Sequence, residues 1–160
     1  MALDAWKKLV AAPVASFLKR RGFRKTDLVF SASRADVVLF VTLQSSTNSN
    51  QHSLEITCNL GIWVAQLARS PKPSVWDSHW RERIGIFRPQ QQDYWWICTS
   101  EEIASKAGHE IAAILENEAL PAMEALASPA ALIALWFSGR SPGLTEQERI
   151  EYLVKLVGAD

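Results

Sequence analysis

The stretch Ser53-Leu54-Glu55-Ile56-Thr57-Cys58-Asn59-Leu60-Gly61-Ile62-Trp63-Val64 decides the fold. Its apolar residues fall at every second position: Leu54, Ile56, Cys58, Leu60 and Ile62. Successive side chains of a strand point to opposite faces, so these five share one face. Glu55, Thr57, Asn59 and Trp63 share the other. The segment reads as a long strand with one side in a core and polar groups on its reverse.

Working outward, Asp27–Ser33 and Asp36–Ser46 alternate in the same way, with a tight turn near Arg34–Ala35. The polar run after Ser45 reads as the loop into the long strand. Three such segments predict an antiparallel meander. Beyond it, Arg81–Phe87 and Tyr94–Thr99 predict two shorter strands around the loop 88–93, and Ala68–Ser74 holds two prolines and reads as a surface connection.

The flanks change to a helical period. Leu3, Trp6, Leu9, Val10, Val14, Phe17 and Leu18 recur at helix spacing. Asp4 suits the start, Pro13 predicts a kink or a break, and Gly22–Phe23 predicts a helix stop. Thr99 with Glu102 forms a capping-box pattern for a helix presenting Ile103, Ala107, Ile111, Ile114 and Leu115, with a bend or end at Pro121. Ser128–Pro129 starts another helix, and Thr145 with Glu148 starts the last, which runs through Val157.

The pattern defines a single α+β domain over residues 1–160: helix 1–22, antiparallel sheet 27–99 and helical part 100–157. We expect about five strands, with the N-terminal and C-terminal helices mainly on one face. A chain of 160 residues, 48% of them hydrophobic, can build such a core without staples.

The 17 basic and 17 acidic residues cancel, which argues against a nucleic-acid partner because such binders carry a basic excess. Seven cations in the first 25 residues face a single acid, Asp4, and read as a solvated helix face. No run approaches a membrane span and no signal peptide leads the chain, so no membrane association is expected and the cytoplasm is the expected location. Cys58 and Cys98 have no ligand spacing and read as small buried thiols, with one disulfide between them as the alternative.

His52, His79 and His109 have no metal-site spacing, and no phosphate loop, nucleophile elbow or dinucleotide turn occurs. No metal and no cofactor are expected, and no motif names a reaction.

Seven tryptophans are the unusual feature. Trp6 and Trp136 fit apolar helix faces, whereas Trp63, Trp76, Trp80, Trp95 and Trp96 lie on or beside the later strands. Adjacent Trp95 and Trp96 must point to opposite faces, so one of them lies away from the helices. Gln44, Glu55, Asn59, Trp63, Arg83, Asp93, Trp95 and Trp96 therefore form the candidate binding surface. Arg81 and Arg83 project together, and Asp93 lies across a hairpin from Arg83. The plainer alternative is a wet sheet face with an ordinary ion pair and tryptophans covered by loops.

In order along the chain come Gly22-Phe23, Gln44-Ser45, Asn59-Leu60-Gly61, Trp80-x-x-Arg83-Ile84-Gly85 and Asp93-x-Trp95-Trp96. This ordered set resembles the bacterial family known as domain of unknown function 4304, over about residues 5–125. The resemblance implies a compact bacterial protein and no particular activity. Its glycines at 22, 61 and 85 also suit turns and bulges.

The functional expectation is a non-catalytic module that binds another protein through an aromatic and polar sheet face, comparable in architecture to small immunity proteins. The alternative is a small polar ligand binder or enzyme using Glu55, Arg83 and Asp93, since a carboxylate near a guanidinium can orient a substrate or move a proton. Self-association through Trp76, Trp80 or Trp136 is a third reading.

Overall fold

The computed structural model describes residues 2–158. Helix α1 (Ala2–Arg20) leads into the strands β1 (Arg24–Thr26), β2 (Val29–Arg34), β3 (Val37–Ser45), β4 (Leu54–Val64), β5 (Trp80–Arg83) and β6 (Trp96–Cys98). Helices α2 (Glu101–Ile114), α3 (Leu120–Ala125), α4 (Pro129–Phe137) and α5 (Glu146–Val157) follow. The α+β reading holds, with six antiparallel strands.

The order is β1-β2-β3-β4-β5, a meander, with β6 also paired to β4. Strand β4 is long enough to hold two short partners along one edge. Its second half pairs β5 through Asn59↔Arg83 and Ile62↔Trp80, and its first half pairs β6 through Leu54↔Cys98 and Ile56↔Trp96.

The decisive alternation is realised. Leu54, Ile56, Cys58, Leu60, Ile62 and Val64 are each no more than 1% exposed, in one core with Val10, Val14, Ala107 and Ile111 of α1 and α2. That buried side is the helix side of the sheet. Burying each large aliphatic side chain there contributes roughly 1.5–3 kcal/mol.

Several local expectations change. The predicted break at Pro13 does not form: α1 continues through it, and α2 packs there, with Gly108 set against Pro13 and the Val10 carbonyl. Asp4 lies in the first turn of α1, which already begins at Ala2. Ser100, not Thr99, caps α2, its Oγ accepting from the Ile103 N–H at 3.2 Å. A π-helical turn, Leu115–Ala119, widens the chain ahead of Pro121 and carries the helix past it without the predicted end. Ile84–Phe87 forms a 3₁₀ turn in place of strand, because the chain must leave β4 there to come back as β6. The Gly22–Phe23 clasp, the Ser128 cap and the Thr145–Glu148 capping box form as predicted.

The connection from β4 to β5 lies across the other side of the sheet, the outer face. Its 3₁₀ turn Val75–Asp77 sets Val75 onto Phe40 and Trp63, making a second small core. Gly61 is where this strap comes closest: a β-carbon there would meet the Ser78 Oγ at 2.6 Å. His79 locks the end of the strap, its Nδ1 accepting from the Val64 N–H at 2.9 Å. The ring meets Tyr152 of α5 edge-on, with centroids 5.2 Å apart. Burial lowers the His79 pKa to about 4, so the imidazole is neutral near pH 7.

Candidate functional site

The strap covers one half of the outer face; on the other half Gln44, Asn59 and Arg83 are half-buried, while Thr42 and Thr57 between them are buried. Register brings the predicted polar residues together there. Thr42 lies opposite Asn59, Gln44 opposite Thr57, and Asn59 opposite Arg83. Asn59 Nδ2 donates to Gln44 Oε1 at 2.6 Å, and Thr57 Oγ1 donates to the Tyr94 carbonyl at 2.7 Å. That one bond ties the two amides to each other across β3 and β4.

Arg83 ends the edge strand β5 beside this surface. Its Nη1 lies 3.1 Å from Asp93 Oδ2, and its guanidinium carbon lies 5.1 Å from the centre of the Trp95 ring. That distance is within cation–π range. The side chains of Arg83 and Asp93 remain 39% and 54% exposed, so the pair is a wet one and contributes at most about 1 kcal/mol to stability. Together these contacts set the guanidinium and the indole side by side as one arginine–tryptophan plate.

The two adjacent tryptophans part as the alternation requires. Trp95 is half-buried next to Arg83, while Trp96 turns to the helix side and is 4% exposed. Trp96 Nε1 donates to Glu110 Oε2 of α2 at 2.8 Å, and Tyr94 meets the Trp96 ring edge-on at 4.8 Å. The Arg88 guanidinium carbon stacks 3.4 Å from the Tyr94 ring centre. This second arginine–aromatic stack ties the loop before β6 down to the sheet.

Six of the eight predicted residues, Gln44, Glu55, Asn59, Arg83, Asp93 and Trp95, occupy the half of the outer face outside the strap, Glu55 lying apart from the other five. Trp63 belongs to the outer face but is 7% exposed beneath Val75, because the strap covers it. Trp96 lies on the opposite side, in the main core. Glu55 is half-buried opposite Ile97 and makes no ion pair among the described residues. Of the tryptophans considered for self-association, Trp80 and Trp136 are 3% and 0% exposed, whereas Trp76 is 65% exposed.

Sequence reasoning left several neighbours out of the site. A groove of about 300 Å³ runs beside β5, floored by Asn59 and Leu60 and walled by Val75 and Trp76. Arg81, Glu82, Arg83 and Gly143 complete it. Gly143 comes from the loop between α4 and α5, and its carbonyl accepts from Arg81 Nη2 at 2.9 Å. A β-carbon at this position would strike the Arg81 Cβ and carbonyl at 2.8 Å, and its φ of +73° disfavours any other residue. The alternation Arg81-x-Arg83 was legible, but the approach of Gly143 was not. Burial raises the Glu82 pKa, and its Oε1 accepts from the Arg83 N–H at 3.2 Å.

A second cavity of about 220 Å³ lies behind the strap, with Arg69, Asp77, His79, Glu148 and Tyr152 in its wall. It shares Trp76 and Arg81 with the groove. Among the described residues no group of three His, Cys, Asp or Glu side chains gathers in a metal-binding arrangement. Cys58 and Cys98 are free and buried, and burial pushes the Cys58 thiol up to about 12.

A helix-backed antiparallel meander, with a strap over half of its outer face and an arginine–tryptophan plate on the rest, defines the class of domain. The chain belongs to the family described as Domain of unknown function (DUF4304), which matches residues 14–125. The match takes in α1 from Val14, the whole sheet, α2 and α3, and stops before α4. No curated protein and no solved structure matches the chain.

Proposed function

We propose that this protein is a non-catalytic binding module that holds another protein on the half of its outer sheet face outside the strap. The observation behind this reading is the Arg83–Trp95 plate, braced by Asp93 and set beside the exposed Trp76. Arginine and tryptophan are the residues most enriched at binding hot spots. A guanidinium already stacked and ion-paired loses little side-chain entropy on contact, which favours affinity. Small immunity proteins offer an analogy at the level of architecture alone. Two free buried thiols suit a reducing compartment, and we assign the cytoplasm on that ground.

The alternative, a polar ligand site built from Glu55, Arg83 and Asp93, has less support. Arg83 is the only one of the three that lines the groove. The discriminating experiment is affinity capture of the tagged protein from lysate of its source organism. Wild type is compared with Trp95→Ala and Arg83→Ala, each first shown to be folded by circular dichroism. A stoichiometric partner lost in both folded variants supports the reading. A partner retained by both, or no partner at all, overturns it.

A further inference from the structure

Among the described residues eight large apolar side chains are exposed, and four of them, Phe137, Ile150, Val154 and Val157, belong to the last two helices. These four are 48–67% exposed. On α5 the spacing 150, 154, 157 gathers three of them into one stripe, because residues three and four apart share a helix face. The opposite side of α5 is occupied, with Glu148 and Tyr152 in the wall of the cavity behind the strap. The stripe therefore points away from the strap. Helix α4 is tied to α5 where Arg149 Nη1 donates to the Trp136 carbonyl at 2.7 Å. Phe137 and Ile150 are the chain neighbours of that bonded pair, so the exposed ring stands at the end where the stripe begins. Helix α4 carries no charged residue, and its Ala130 and Ala134 are exposed in line with Phe137.

A fully exposed side chain of this size offers roughly 100–200 Å², so the four present on the order of 300–400 Å² of apolar surface. One partner of a standard interface buries about 800 Å², roughly 60% of it apolar. The four side chains with Ala130 and Ala134 supply most of that apolar share. The border of the stripe selects the occupant. Glu146, Gln147 and Glu151 flank it, whereas a helix lying on an anionic lipid surface needs cations there. Glu151 and Lys155, one turn apart on α5, make no ion pair with each other or with any other side chain among the described residues. An antiparallel copy of α5, related by a two-fold axis at Val154, sets Val154 against itself and Ile150 next to Val157 of the second copy. The same axis brings Glu151 of each copy within a turn of Lys155 of the other. Stripe and charges thus complement themselves, as an isologous interface requires.

We infer that two copies of this chain pair through α5, antiparallel about a two-fold axis at Val154, with Phe137 of α4 at the margin. The surface contains none of the tryptophans considered for self-association, and the inference does not depend on the reading of the outer sheet face. Both helices follow residues 14–125, the part matched by the family, so the pairing belongs to the region after it.

The test is sedimentation equilibrium of the full chain, which reads mass directly. At about 100 μM the wild type is expected at twice the 17.9 kDa of one chain, as for an interface at the small end of the stable range. Val154→Glu, at a position exposed in the single chain, should weaken the dimer about tenfold or more with the circular dichroism unchanged. Glu151→Lys and Lys155→Glu should each weaken it alone, and an equimolar mixture of the two variants should restore it. A wild type that stays at the mass of one chain overturns the inference, and so does a dimer that Val154→Glu leaves unweakened. A mixture that fails to recover overturns the antiparallel two-fold arrangement. Flotation of the single chain with phosphatidylglycerol vesicles, lost in Val154→Glu, assigns the stripe to a lipid surface and overturns the second copy. Arg83→Ala and Trp95→Ala should dimerise as the wild type does, so this experiment and the capture experiment can fail separately.

Discussion

The guanidinium of Arg83 lies 5.1 Å from the centre of the Trp95 ring, at the β5 edge of the sheet. A contact this exposed contributes about 0.5–1 kcal/mol. A double-mutant cycle over Arg83→Ala and Trp95→Ala, followed by urea unfolding, should return a coupling of that size. Affinity for a partner should fall by much more, because both residues present their remaining surface outward.

The tryptophans should divide sharply in their effect on stability. Trp96→Ala removes a 4% exposed ring and its hydrogen bond to Glu110, and should cost about 3–5 kcal/mol. Trp76→Ala, at 65% exposure, should change stability by less than about 0.5 kcal/mol. Chemical denaturation of the two variants in parallel checks the contrast.

His79 should make the protein acid-sensitive. Its folded pKa is lowered to about 4 from 6.5, so the unfolded chain takes up the proton first as pH falls. The stability it contributes is complete above about pH 6.5 and drains away as pH falls toward 4. Between pH 7.5 and pH 5 the loss should be about 2 kcal/mol. Urea unfolding at the two pH values should show that gap in wild type and a smaller one in His79→Gln.

Both thiols should be silent in the native protein. Cys58 and Cys98 are each 0% exposed, and burial raises both pKa values. A chromogenic disulfide reagent near pH 8 should label neither at a rate above that of global unfolding, and both at once in denaturant.

Gly143→Ala should disturb the groove more than the fold. The added carbon meets the Arg81 backbone at a positive φ, on a loop away from the main core. We expect a loss of about 1–2 kcal/mol, accompanied by NMR shifts at Arg81 and Trp76 and small changes elsewhere.

The sheet was legible because its signal is local. Alternation from Leu54 to Val64 assigns every residue to a side, and the outer-face set Gln44, Asn59, Arg83 and Trp95 follows from parity and hairpin order. What escaped the sequence depends on how segments pass over one another. Trp63 has the right parity for an exposed platform, but Val75 on the strap buries it. Parity also separates Trp95 from Trp96 without naming which one meets α2; the register Ile56↔Trp96 decides that. Arg81 and Gly143 are far apart in the chain, and no short-range pattern brings them together. Pro13 and Pro121 show the same limit, since packing at Gly108 and a widened helical turn absorb what propensity treats as breaks.

Strands β5 and β6 pair with separate halves of one edge of β4, and the excursion between them is pinned at both ends. Between those ends the loop packs back on its own start: a β-carbon at Gly85 would strike the Gln92 carbonyl and the Tyr94 N–H, and Arg88 stacks on Tyr94. The 88–93 tip is thus built into the edge of the sheet, and the room left at Gly85 sets where Asp93 stands beside Arg83.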